Sequence, residues 1–98
     1  MVVDIDDLLN QLSMETQRLQ SSRGSAPPEL RRIVDQTLKL QQEVLTSQQI
    51  ALLRHRGQRL HPSIEVRRAE LIDWTQRELK ALQSLSNAIA RQTSASTN

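Results

Sequence analysis

Residues 54 to 68, RHRGQRLHPSIEVRR, hold five arginines and two histidines around one glycine and one proline. Gly57 favours the end of a helix, and Pro62 lacks the N–H group that a helix interior needs. A short connection between two helices of similar length brings them side by side in opposite directions. The stretch therefore predicts the turn of an antiparallel helical hairpin.

The segments on both sides of this turn repeat apolar residues at three- and four-residue steps, which predicts two long helices. Pro27 or Pro28 suits the first turn of the helix before the turn, and His61 or Ser63 is a suitable cap for the helix after it. A shorter helix is predicted at the N-terminus, with Asp4 as its N-cap. The predicted boundaries within a single domain, 1–98, are 4–22 for the first helix, 23–27 for a linker, 28–56 for the second helix, 57–62 for the turn, 63–91 for the third helix and 92–98 for a disordered tail.

Composition agrees with an all-α fold. The chain of 98 residues has only two glycines and three prolines, and its one aromatic residue is Trp74. Without large aromatic anchors, burial must come from aliphatic residues spread along extended helical seams, which suits helices that pair with a second chain. The N-terminal helix could cover the open flank of the hairpin within one chain, or two hairpins could pair. We favour a homodimer resembling a coiled coil or four-helix bundle.

The expected core or dimer seam includes two glutamines. Gln41 and Gln48 are one heptad apart on the apolar stripe of the second helix. They either reach solvent from a loosely packed seam or form polar layers that fix register and oligomeric state. Trp74 lies at the edge of the third helix's stripe, as a covered core residue or as an anchor for a partner. The predicted seam residues are Leu30, Val34, Gln41, Val44, Gln48, Leu52, Leu71, Leu82 and Ile89.

Groups that carry catalytic or metal chemistry are scarce in the sequence. It contains no cysteine and two histidines, and His55 and His61 do not have the spacing of a metal motif. Asp4, Asp6 and Asp7 are explained as a helix cap, because the later positions of a calcium loop are not matched. We therefore expect no enzyme activity, no metal and no cofactor.

No run of apolar residues is long enough to cross a membrane, and the N-terminal MVVDIDD is acidic where a signal peptide is basic. The sequence therefore predicts a soluble cytoplasmic protein without a membrane partner.

The predicted turn concentrates Arg54, Arg56, Arg59, Arg67 and Arg68 at one end of the hairpin, opposed in this stretch only by Glu65. Cations at a helix C-terminus complement its dipole, which accounts for the first two of these arginines. The cluster is interpreted in three ways: as a solvated turn, as a docking site for an acidic protein surface, or as a contact for a nucleic-acid backbone.

The leading hypothesis is a small dimeric adaptor that docks an acidic protein partner, of unknown identity, through this basic turn. The alternative is a helical subunit that contacts the phosphate backbone of a nucleic acid without reading bases. The small net charge of +2 and the lack of aromatic residues that stack on bases count against the alternative.

Overall fold

The computed structural model describes residues 3 to 96, and over that range it is all-helical with no strand. The predicted all-α class is confirmed. The four α-helices are α1 (Ile5–Ser22), α2 (Pro28–Val44), α3 (Ser47–Leu53) and α4 (Pro62–Ser96), with a short 3-10 turn (Arg23–Ser25) between the first two.

The N-terminus of α1 is fixed by the cap that the sequence predicts. The backbone N–H of Asp7 donates to Oδ1 of Asp4 at 3.1 Å, which satisfies one of the free N–H groups of the first turn. Asp6 and Asp7 place negative charge at the positive end of the helix dipole. The cap therefore sets where the first helix begins.

The chain runs up through α1, down through α2 and α3, and up again through α4. Nε2 of Gln41 in α2 donates to Oγ1 of Thr16 in α1 at 3.0 Å, and Asp35 near the start of α2 pairs with Arg23 after α1, so these two helices are antiparallel. Side-chain nitrogens of Arg68 reach the end of α3 from the second turn of α4. Helix α1 therefore runs parallel to α4, and its most extensive packing is against that helix.

The core lies mainly between α1 and α4. Leucines of α1 face leucines and isoleucines of α4, whereas α2 contributes one fully buried side chain, Val34. Leu30, Leu38 and Leu45 of the α2 segment pack against this core while keeping part of their surface exposed. The buried apolar residues of the main cluster are Leu8, Leu12, Leu19, Ala26, Val34, Leu79, Leu82 and Ile89.

The single helix predicted over 28–56 is divided in the structure. Helix α2 ends at Val44, Leu45 leaves helical geometry, and α3 begins at Ser47. The cause is a second cap, because Oγ1 of Thr46 accepts the backbone N–H of Gln49 at 3.3 Å. Thr46 and Gln49 have the spacing of a capping box, a local signal that outweighs the continuous apolar periodicity.

Two other helix ends differ from the prediction. Helix α3 ends at Leu53 and not near residue 56. Helix α4 continues to Ser96, past the predicted end at residue 91, so 92–96 are helical and not a disordered tail. Residues 97 and 98 lie outside the described residues.

The predicted linker is clasped onto α2 by a bidentate ion pair. Nε and Nη2 of Arg23 donate to the two carboxylate oxygens of Asp35 at 2.6 and 2.7 Å. These hydrogen bonds from Arg23 lower the pKa of the Asp35 carboxyl below its usual value. The clasp and the buried Ala26 fix the reversal of the chain between α1 and α2.

Replacement of the central core leucine tests this arrangement. Leu82→Ala is expected to lower the free energy of unfolding by about 2 to 5 kcal/mol, because it leaves a cavity between α1 and α4. The exposed Met14 of α1 is the control, and Met14→Ala is expected to change stability by less than about 0.5 kcal/mol. Urea unfolding followed by circular dichroism measures both, and equal effects would contradict the assigned core.

Glu78 of α4 is a buried carboxylate, and its Oε1 atom has no hydrogen-bond partner. Burial raises the pKa of this group above its usual value. The folded state therefore binds the proton more tightly than the unfolded state does. The resulting stabilisation is complete below the unfolded pKa and is lost as the pH rises through the folded pKa.

Glu78→Gln removes the charge while keeping the shape of the side chain. The variant is expected to have a higher free energy of unfolding than the parent at about pH 7. The gain is expected to vanish below about pH 4, where Glu78 of the parent becomes protonated in the folded and the unfolded state alike. Unfolding curves across this pH range measure the difference. A gain that does not depend on pH would show that ionisation of Glu78 does not lower the free energy of unfolding.

Candidate partner-binding site

The connection between α3 and α4 gathers the five arginines of the opening stretch at one end of the bundle. Gly57 has a φ of 97°, a left-handed conformation that is strained for other residues, and it allows the chain to reverse between the two helices. His61 closes the turn, since its backbone oxygen accepts from Ile64 and Glu65. We call Arg54, Arg56, Arg59, Arg67 and Arg68 the basic tip.

Two arginines of the basic tip share one carboxylate from α1. Nη2 of Arg56 lies 3.0 Å from Oδ2 of Asp6, and Nε of Arg54 lies 3.6 Å from its Oδ1. All three side chains are more than half exposed, so solvent screens the attraction. The acidic first turn of α1 therefore lies against the tip, a long-range contact that the sequence did not reveal.

Arg68 has a structural role. Its Nε and Nη2 atoms donate to the backbone carbonyls of Leu52 and Leu53 at 3.1 and 2.8 Å. These carbonyls lie in the last turn of α3, where that of Leu52 also accepts the backbone N–H of His55 at 3.2 Å. The guanidinium of Arg68 thus caps α3 from α4 and joins the two helices.

Arg59 and Arg67 are both exposed, and neither has an ion-pair partner among residues 3 to 96. Two apolar side chains of the first turns of α4 are exposed near them, Ile64 at 40% and Val66 at 58%. Ile64 lies one heptad before the buried Leu71 on the same stripe of α4. The tip therefore combines free cations with uncovered apolar surface.

The two histidines serve the turn itself. Nε2 of His55 is 2.8 Å from the carbonyl of Gln58, and Nδ1 of His61 is 2.8 Å from Oγ of Ser63. The backbone N–H of Ser63 also donates to Nδ1 of His61, which identifies His61 as the cap of α4. No group of three or more metal-binding side chains occurs in the described part of the chain.

The predicted seam residues divide between core and surface. Val34, Leu71, Leu82 and Ile89 are buried, whereas Leu30, Val44 and Leu52 are half-buried. Gln41 is also half-buried, and it bonds to Thr16 of its own chain. Gln48 is exposed in the first turn of α3. Of the two glutamines, Gln41 is therefore the one that forms a polar contact inside the bundle.

Trp74 is half-buried where α2 and α4 approach each other. It borders a shallow depression together with Glu43 and Val44 of α2 and with Arg67 and Arg77 of α4. Helix α1 packs on the other side of α4, where Leu8 and Gln11 lie beside Leu79 and Lys80. The tryptophan is therefore left partly open on the side that α1 does not cover.

Comparisons with protein-family models, with characterised proteins and with solved structures find no match for this chain. Of the helices in residues 3 to 96, none combines the length and the apolar character that a membrane span requires. The geometry of the described residues is therefore the basis for a functional assignment.

The structural and the free arginines of the basic tip are separable by mutation. Arg68→Ala is expected to lower the free energy of unfolding by about 1 to 3 kcal/mol, because it leaves the carbonyls of Leu52 and Leu53 without their charged donor. Arg59→Ala is expected to change it by less than about 0.5 kcal/mol. Thermal and urea unfolding check both variants, and equal stability of the two would contradict the capping role.

Proposed function

We propose that this protein is a non-enzymatic helical adaptor that forms a homodimer and docks an acidic protein surface through the basic tip. The observation that carries the proposal is the pairing of free cations with exposed apolar side chains at one end of the bundle. Arg59 and Arg67 have no ion-pair partner in the described chain, and Ile64 and Val66 are uncovered beside them. Arginine beside apolar surface is typical of protein interfaces.

An acidic protein surface explains the tip better than a nucleic acid does. Asp4 and Asp6 line the same depression as Arg54, Arg56 and Arg68. Those carboxylates repel phosphates, and the exposed Val66 gains nothing from a phosphate backbone. The bases of a single strand also stack on aromatic rings, and the chain has one such ring, Trp74, which is half-buried beside Arg67.

Asp6 also suggests how the tip accommodates a partner. Its single carboxylate serves both Arg54 and Arg56, and all three groups are exposed. A carboxylate from a partner can replace Asp6 at small cost, because exposed ion pairs contribute about 1 kcal/mol or less. The proposed docking surface therefore comprises two free arginines and two arginines that are held only weakly.

The homodimer rests on apolar surface that one chain leaves open. Ile33 and Leu40 of α2 are exposed by 44% and 48%, and Trp74 of α4 is half-buried. Helix α1 covers the other side of α4. A second copy removes this surface from water, and each buried side chain of this size gains about 1 to 3 kcal/mol when it is fully covered.

Docking at the basic tip is tested with a randomised displayed peptide library and a matched pair of variants. The test variant is Arg59→Ala with Arg67→Ala. The control is Arg32→Ala with Lys39→Ala, which removes the same charge from the exposed surface of α2. Peptides rich in Asp and Glu with apolar residues are expected to bind the parent and the control, and to bind the test variant at least about tenfold more weakly.

Labelled single- and double-stranded nucleic acids provide the competing outcome. Fluorescence anisotropy at about 50 and 200 mM salt is expected to show no binding that depends on Arg59 and Arg67. Steeply salt-dependent binding that is lost in the test variant alone would show that the partner of the basic tip is a nucleic acid and not an acidic protein. Equal peptide binding by the test and control variants would remove the tip as a docking site.

A further inference from the structure

An apolar face lies along the side of the α2–α4 pair that α1 leaves open. Helix α2 contributes Ile33 and Leu40, which are one heptad apart, and α4 contributes residues that follow the same periodicity. Glu43 and Val44 of α2 border the same depression as Trp74, which shows that the two helices adjoin at this end. We call this the α2–α4 face, and its residues are Ile33, Leu40, Trp74, Ala81, Leu85 and Ala88.

Side-chain size varies along the α4 half of this face, where Ala81 and Ala88 alternate with the larger Trp74 and Leu85. Helices α2 and α4 are antiparallel, and Val44 borders the same depression as Leu71 and Trp74, so Leu40 lies beside the segment of α4 between Trp74 and Ala81. By the same rise, Ile33 lies beside the segment of α4 between Ala81 and Ala88. The small Ala81 and Ala88 leave space on α4 beside the larger side chains of α2, into which side chains of a facing helix can pack.

Charges along the margins of the face follow the same register. Glu29 and Glu43 flank Ile33 and Leu40 at three- and four-residue steps, and no ion pair involves either glutamate within residues 3 to 96. On α4, Arg77 follows Trp74 by three residues, and Arg91 follows Ala88 by three.

The acidic margin and the basic margin match in length. Glu29 and Glu43 are two heptads apart, and so are Arg77 and Arg91. Arg77 pairs within its own helix only with the exposed Asp73, at 3.0 Å. The α2 margin therefore carries two glutamates and the α4 margin two arginines at equal spacing, with Glu70 of α4 one heptad before Arg77.

We propose that the α2–α4 face binds the same face of a second copy, with the two-fold axis parallel to the helices. This inference rests on the proposed homodimer and specifies its interface. In this arrangement α2 of one protomer lies antiparallel over α4 of the other, which places Glu43 beside the partner's Arg77 and Glu29 beside the partner's Arg91. Each protomer supplies the glutamates on α2 and the arginines on α4, so every pair forms twice across the axis. Such an interface is self-complementary, as a two-fold dimer requires.

The charges also exclude the other two-fold arrangement of this face. An axis perpendicular to the helices pairs α2 with the partner's α2 in opposite directions. That pairing brings Glu29 towards the partner's Glu43, and on α4 it brings Arg77 towards the partner's Arg91. Like charges in these positions oppose association. The parallel axis is therefore the arrangement that the sequence register favours.

This geometry sets both basic tips at the same end of the dimer. The chain is 56 Å long, so a perpendicular axis would separate the tips by about that length. Two tips at one end can engage two acidic sites of a single partner, and the second contact then forms at a high effective concentration. The arrangement gives the proposed adaptor bivalent binding.

Sedimentation equilibrium measures the mass of the parent and of two variants. The parent is expected to have twice the 11.2 kDa mass of the chain. Leu40→Asp places a charge on the α2–α4 face and is expected to be monomeric. Met14→Asp is the matched control, because Met14 is 69% exposed on α1, and it is expected to remain dimeric.

The outcomes separate the inference from the proposed function. A monomeric parent would overturn both the homodimer and its interface. A dimer that survives Leu40→Asp would retain the homodimer and overturn the α2–α4 face. Circular dichroism establishes that Leu40→Asp keeps its helices, as expected for a half-exposed position.

A charge reversal tests the register without placing a charge in the apolar face. Glu43→Arg alone and Arg77→Glu alone are each expected to raise the dissociation constant of the dimer about tenfold, because like charges then meet at two symmetry-related positions. The double variant restores opposite charges and is expected to recover most of the parent's affinity. Additive weakening in the double variant would overturn the proposed pairing.

Energy transfer between labelled tips determines the orientation of the axis. The chain has no cysteine, so Gln58→Cys in the turn and Ala90→Cys near the far end of α4 each provide a single labelling site. Protomers labelled at position 58 are expected to show efficient energy transfer. Protomers labelled at position 90 are expected to show equally efficient transfer. Weak transfer at position 58 beside efficient transfer at position 90 would overturn the parallel axis.

Discussion

Packing of α1 along α4 is the contact on which the rest of the structure depends. The fully buried Leu19 and Leu82 belong to these two helices, whereas α2 adds only Val34 to that class. Because α1 and α4 run in the same direction, the N-terminal end of α1 lies beside the turn before α4. This parallel packing brings Asp6 to Arg54 and Arg56, and it leaves the opposite side of the α2–α4 pair open.

Local signals in the sequence are sufficient to predict the all-α fold and some of the helix ends. The apolar steps of the chain predicted an all-α fold, and Asp4 was identified as the cap of α1. The break at Thr46 was also visible, since Thr46 and Gln49 form a capping-box pair. The apolar periodicity continues through this break and therefore predicts one long helix, whereas the cap is a signal of only four residues.

The contacts that shape the candidate site cannot be predicted from local sequence patterns. Arg68 donates to carbonyls fifteen and sixteen residues earlier, and Asp6 meets Arg56 across fifty residues. Neither follows from helix periodicity, because both depend on which helices pack together and in which direction. The sequence located the five arginines at one end but could not separate the structural arginine, the paired arginines and the free ones.

The separation of these arginines changes how the tip is interpreted. A uniform cluster of five cations suits a phosphate backbone, but here Arg68 is used inside the fold and Asp6 offsets two others. Arg59 and Arg67 remain beside exposed Ile64 and Val66, a surface that fits a protein with acidic and apolar residues. The fold thus directs a moderate charge to one end and leaves the apolar α2–α4 face along its side.

Distance measurements between spin labels on α1 and α4 test the parallel packing in one chain most directly. Cysteines at the exposed positions Gln20 and Asn87 are predicted to give a distance shorter by at least about 10 Å than cysteines at Gln20 and Glu70, because the intervening turns of α4 rise about 25 Å. The short distance is predicted to persist when labelled protein is diluted into excess unlabelled protein. A shorter distance to Glu70, or loss of the short distance on dilution, would contradict packing of α1 along α4 of its own chain.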